Sequence, residues 1–79
     1  MYHVYIIKSL VSGKHYIGST SNLGSRIIKH NSGGNRSTKS GRPWQLVHTE
    51  MFANKSDAWF RERQIKSYKG GEAFKKLVK

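Results

Sequence analysis

The chain opens on Tyr2-His3-Val4-Tyr5-Ile6-Ile7, a β-branched and aromatic run that predicts a strand from almost the first residue. Ser12-Gly13 is a turn signal, and His15-Tyr16-Ile17-Gly18-Ser19 predicts the returning strand of a hairpin. Thr20-Ser21-Asn22 then offers N-cap oxygens ahead of Leu23, Ile27 and His30 at helical spacing, which predicts a first helix over about 22–30. Residues 31–42 lose this periodicity. They form a basic, Gly/Ser-rich loop closed by Pro43, and loops of about a dozen residues are commonly functional. Trp44 to Phe52 predicts a third strand, with Trp44, Leu46 and His48 on one face and Gln45, Val47 and Thr49 on the other. Asn54-Lys55-Ser56-Asp57 reads as an N-cap with an acid three residues on. A helix over about 55–69 follows and ends at Gly70-Gly71, and Glu72 to Lys79 predicts a short last helix. The order is β-β-α-β-α-α, without an internal repeat.

Seventy-nine residues suit one domain over 1–79. Cysteine is absent, which excludes disulfides and thiolate metal sites and suits a reducing, cytoplasmic setting. No apolar run approaches the ~20 residues of a membrane span, and residues 1–20 lack the apolar core of a signal peptide. Charge changes the picture most. Fifteen Lys/Arg face four Asp/Glu, a net +11, and residues 1–49 hold no carboxylate at all. A field this one-sided attracts a polyanion, so DNA is the first expected partner, with RNA as a second.

With so few acids, each can be read singly. Asp57 and Glu72 fall in first helical turns, where the macrodipole favours an anion. Glu50, near the end of the third strand, is expected to face solvent. Glu62 differs, because Ala58, Glu62 and Ile65 stand at i, i+4 and i+7 on the stripe expected to pack on the sheet. A carboxylate there needs a cation or a metal, and Arg26 is one candidate for an internal salt bridge. Around the first helix, Arg26 and His30 lie within about 60° of Leu23, on its apolar half. A hairpin loop of two or four residues pairs Ile7 with Tyr16 and Tyr5 with Gly18. Tyr5 and Tyr16 then share a sheet face, with Gly18 leaving space across from Tyr5.

Taken together, these residues resemble the GIY-YIG nuclease family, and in particular its small single-domain bacterial members. His3-Val4-Tyr5 corresponds to the first motif and Tyr16-Ile17-Gly18 to the second, with ten residues between the tyrosines. Arg26 followed by His30-Asn31, Gly41-Arg42-Pro43 before a strand, and Glu62 with Ile65-Lys66 continue the likeness in order. His3 stands where the first motif has glycine. The resemblance implies an α+β fold with a small three-stranded antiparallel sheet flanked by helices. It implies a catalytic set of Tyr5, Tyr16, Arg26, His30 and Glu62, in which Glu62 binds one divalent metal ion and Arg26 contacts the scissile phosphate. The implied activity is phosphodiester hydrolysis in DNA, in repair, restriction or mobile-element settings.

In that chemistry one Mg²⁺ or Mn²⁺ is held by Glu62 together with substrate oxygens and waters. Tyr5 is the expected base, helped toward phenolate by the surrounding cations, with Tyr16 orienting water or metal and His30 or His15 relaying the proton. Arg36, Lys39, Arg42, Arg63, Lys66 and Lys69 are expected to hold the nucleic-acid backbone. The competing expectation is a catalytically inactive nucleic-acid-binding module of the same fold. A protein partner supplying specificity is expected, as is a monomer or weak dimer.

Overall fold

The computed structural model describes residues 1–78. Its elements are β1 (Tyr2–Ser9), β2 (His15–Thr20), α1 (Leu23–Ser32), β3 (Trp44–Phe52), α2 (Lys55–Ser67) and α3 (Glu72–Val78), with a 3-10 turn over Lys39–Gly41 ahead of β3. This is the predicted order. The strands form one antiparallel sheet in the order β2-β1-β3. Ile7 pairs with Tyr16 and Tyr5 with Gly18. The Ser9 amide donates to Lys14 O at 2.8 Å, which leaves the four-residue loop Leu10–Gly13.

Central β1 is covered on both sides, which explains why its sequence is apolar without alternation. Val4 and Ile6 pack with Ala58, Ile65 and Phe74 of α2 and α3. Tyr5 and Ile7 point the other way, packing with Trp44 and with Tyr16, Leu23 and Ile27. Tyr5 and Glu62 thus come from opposite layers.

β3 departs from the predicted alternation. Ile6 pairs with His48 but Ile7 with Leu46, so Val47 is an extra residue in a bulge. An extra residue inverts the facing of everything beyond it. Trp44 therefore stays on the α1 side, whereas Val47 packs on the α2 core and His48 pairs across from Ile6. His48 and Trp44 do not share a face.

Glu50 is also not the solvent-facing residue expected. Its carboxylate, 24% exposed, accepts Arg61 Nε at 2.7 Å and Nη2 at 2.9 Å, and lies 2.7 Å from His48 Nε2. The Arg61 hydrogen bonds hold the Glu50 carboxyl below the usual carboxylate range, against the opposing effect of burial. A depressed folded value means the stabilisation is present above the unfolded pKa and is lost as pH falls through the folded one. Glu50→Gln is expected to lower stability by about 1–2 kcal/mol at neutral pH. Urea unfolding should show the gap between variant and parent closing as pH falls below about 4.

The segment between α1 and β3 is anchored along its length. Gly33 ends α1 in the left-handed conformation, φ 83°, and Gly34 N–H returns to Lys29 O at 3.0 Å. The Asn31 side chain pairs with the Trp44 backbone, donating to its carbonyl at 3.1 Å and accepting its N–H at 2.6 Å. Buried Ser9 donates to Gly41 O at 2.7 Å, and Trp44 Nε1 donates to Thr38 O at 2.7 Å. These bonds hold Thr38 under α1.

Candidate active site

The register places Gly18 directly across from Tyr5. A methyl group on Gly18 would meet Tyr5 Oη at 2.6 Å and Cζ at 2.8 Å, so the phenol lies in the space that glycine leaves. Tyr16 stands beside it, ring centroids 6.5 Å apart and planes 31° apart. His30, fully buried on α1, closes the group at 5.0 Å from Tyr16 and 5.8 Å from Tyr5. Gly18→Ala is expected to displace Tyr5, destabilising the fold by about 1–3 kcal/mol through overpacking. Loss of the Tyr5 ring-proton shift pattern in an otherwise folded NMR spectrum would register that displacement.

Hydrogen bonding orders the protons. Thr38 Oγ1 lies 3.3 Å from Asn35 O, to which it donates, and 2.8 Å from His30 Nδ1. In the tautomer where Thr38 spends its proton on Asn35 it accepts from Nδ1–H, and Nε2 is then unprotonated, 2.9 Å from Tyr5 Oη. Tyr5 donates to it. Burial first, then the charges of Arg26 and Lys29, push His30 below the usual histidine range and keep it neutral.

Tyr5 moves opposite to expectation. Burial raises its pKa first, the neighbouring Tyr16 hydroxyl and the Glu62 carboxylate add to the rise, and the attraction of Arg26 does not offset them. At 2% exposure, local desolvation outweighs a net positive surface. Tyr5 is thus a neutral hydroxyl bonded to a neutral imidazole, not a phenolate.

Glu62 approaches from the α2 layer. Ala58 and Ile65 on its stripe are buried, while Glu62 stands at the edge with its side chain 17% exposed. Ser19 of β2 donates to Oε1 at 2.7 Å, and Lys66, one helical turn on, pairs with Oε2 at 2.6 Å. Its salt-bridge partner is Lys66 rather than Arg26. Arg26, half-buried on α1, makes no ion pair among the described residues. Both the Arg26 and Glu62 charges act on Tyr5, one lowering and one raising its pKa. Edge strand β2 brings the two layers together, through Gly18 on one face and Ser19 on the other.

Among the described residues no three His, Cys, Asp or Glu side chains cluster around a point. A multi-ligand cage is therefore not part of this site. Glu62 fits the simpler arrangement in which Mg²⁺ takes one carboxylate and completes its shell with waters and phosphate oxygens. Among the described residues its Oε2 is engaged only by Lys66, which is 53% exposed and free to turn into solvent.

His15 lies outside this group. It packs edge-on against Phe74 at 5.1 Å, on the α3 side of the sheet, so it is not placed to relay a proton for Tyr5. The six basic residues expected to hold a backbone fall into two sets. Arg36, Lys39 and Arg42 are exposed on the loop beyond α1, with Arg42 Nε donating to Lys39 O at 2.9 Å. Arg63, Lys66 and Lys69 are exposed on and just after α2, with Lys66 drawn to Glu62 and Arg63 lying over Trp59 at 4.8 Å. Ser19, Thr38 and Asn31 organise the site without having been singled out as site residues in the sequence. Of these, only Asn31 carried a signal, through its place after His30 in the motif.

A three-stranded sheet with paired tyrosines across its hairpin, an arginine and histidine on the first helix, and a glutamate on the second is the plan of one nuclease class. Residues 1–75 match the model of the GIY-YIG catalytic domain, and the chain belongs to the GIY-YIG family. Its relatives are UPF0213 proteins, a small branch of that family. A UPF0213 protein of Staphylococcus saprophyticus is 46% identical over 68 residues, covering 85% of this chain and 82% of the relative. One from Halobacterium salinarum is 42% identical over 67 residues, covering 84% and 86% respectively. The solution structure of a Bacillus halodurans UPF0213 protein is similar at TM-score 0.60 and 34% identity, covering 99% of this chain and 83% of that one. Among the described residues, no helix is long and apolar enough to cross a membrane.

Proposed function

We propose that this protein is a divalent-metal-dependent endonuclease hydrolysing phosphodiester bonds in DNA, with repair or recombination as its setting. The supporting observation is a lone, oriented carboxylate, Glu62, on a +11 protein, near a tyrosine–histidine pair hydrogen-bonded at 2.9 Å. A domain that only bound phosphate would gain nothing from a carboxylate held there by Ser19.

Arg26 clamps the scissile phosphate with charge-assisted hydrogen bonds that tighten as charge develops. Tyr5 Oη takes a proton from the attacking water and gives its own to His30 Nε2, so no phenolate forms. Thr38 fixes the His30 tautomer through Nδ1–H, and Tyr16 orients the water. Glu62 would hold one Mg²⁺ or Mn²⁺, which would supply Lewis-acid charge neutralisation to the phosphodiester when bound. The two basic sets carry the DNA backbone.

The Glu62–Lys66 pair favours one alternative, an inactive binding module in which Glu62 only docks α2 against β2. Incubating branched, nicked and duplex DNA with Mg²⁺ or Mn²⁺ separates the two. Metal-dependent cleavage of any of these supports the endonuclease, and binding without cleavage of any substrate supports the module.

A further inference from the structure

Trp59 and Phe60 belong to neither core cluster. Both are exposed, at 46% and 64%, and they pack edge to face on each other at 4.9 Å. With Lys55 and Ser56 they line a shallow depression at the start of α2. The Arg63 guanidinium lies against the indole, 4.8 Å from its centroid. Around the helix axis Trp59 is about 60° from Glu62 and about 20° from Lys66, with Lys55 about 40° away. All four occupy the flank of α2 that Glu62 turns toward β2 through Ser19. Two exposed aromatic rings side by side on a 79-residue chain are unusual, and such patches mark binding surfaces.

Charge narrows the occupant. Lys55, Arg63 and Lys66 surround the rings, and Glu62 is the only acid on that flank, so the partner is anionic. Planar rings framed by cations suit a partner whose backbone is anionic and whose apolar groups are themselves flat. Nucleobases have that form, and stacking needs an open base face, which a paired base inside a duplex does not offer. We propose that Trp59, backed on its far side by Phe60, is a stacking platform for an unpaired nucleobase next to Glu62. The preferred substrate then carries single-stranded nucleotides beside the cut, as in a flap or loop. This rests on the nucleic-acid reading above.

The test uses the full chain in EDTA, with a single-stranded DNA oligonucleotide carrying 2-aminopurine and the same label within a duplex. Trp59→Ala should weaken single-strand binding about ten-fold and abolish 2-aminopurine quenching. Duplex affinity and the melting temperature should be unchanged, and Trp59→Phe should retain most of the quenching. Equal losses on single strand and duplex, or no loss on either, overturn the platform. So does Trp59-dependent self-association, or Trp59-dependent capture of a Glu-rich peptide, with unchanged oligonucleotide binding. Cleavage with Mg²⁺ is scored separately. If the parent cuts no strand while Trp59→Ala still loses single-strand binding, the nuclease reading falls and the platform stands. If Trp59→Ala binds and cuts every substrate as the parent does, the platform falls and the nuclease reading stands.

Discussion

Glu62→Gln is expected to reduce metal-dependent cleavage about 10³-fold or more while leaving DNA binding intact or slightly tighter. A loss of that size corresponds to roughly 4 kcal/mol, within what charge stabilisation at a transferring phosphoryl group supplies. Binding should not suffer, because the substitution removes a negative charge from a surface that meets phosphate. The fold should also survive. Glutamine keeps a carbonyl oxygen to accept from Ser19, and the bond it loses is to an exposed lysine one turn away. Exposed i,i+4 pairs of that kind contribute only about 0.3–0.5 kcal/mol. Glu62→Asp is the sharper variant. It keeps the charge but withdraws it by one methylene, and displacements near 1 Å cost about 10²-fold when geometry matters. Single-turnover cleavage with saturating Mg²⁺, beside anisotropy binding in EDTA, measures both quantities. Equal cleavage by Glu62→Gln and the parent would remove Glu62 from the chemistry and leave it as a strap between α2 and β2.

The sequence made Glu62 visible by contrast, since only four acids stand among fifteen bases and only this one falls on an apolar stripe. Its partner was also within reach, because Lys66 stands at i+4, yet inward packing drew attention to Arg26 instead. Element order was legible from the β-branched runs, and hairpin register followed from the Ser12-Gly13 turn because a loop of two or of four residues gives the same observed pairs. The bulge at Val47 was not. Nothing in Leu46-Val47-His48 distinguishes an extra residue from regular alternation, and its position is decided by how β3 matches Ile6 and Ile7. Thr38 was hidden for a related reason. One hydroxyl in a polar loop looks like any other until Trp44, Ser9 and Asn31 pin the loop beneath His30. The ionisation of Tyr5 could not be read from charge at all. Net charge sums over the whole surface, whereas a pKa answers to the few ångströms around one atom.

Tyr5→Phe is expected to slow cleavage by about 10²–10³-fold, the usual contribution of a positioned proton acceptor, with little effect on binding. The pH profile of the parent carries the stronger test. A phenolate base would make the rate climb about tenfold per pH unit through the neutral range toward the ordinary tyrosine value near ~10. A neutral Tyr5 handing its proton to His30 gives a different curve. The rate is flat above neutrality and falls only where His30 becomes protonated and Nε2 can no longer accept. Burial and the Arg26 and Lys29 charges lower that pKa, so the acid limb should lie below about 6.5. Stability should follow the same group. Between the folded value and the unfolded ~6.5 the unfolded chain binds the extra proton, so folding stability decreases as pH falls through that window and levels off below it. ¹⁵N-detected titration of His30 locates the folded pKa, and the acid limb of cleavage should coincide with it. A profile that keeps rising through pH 9, or an acid limb unaffected by Tyr5→Phe, would return the base to another group.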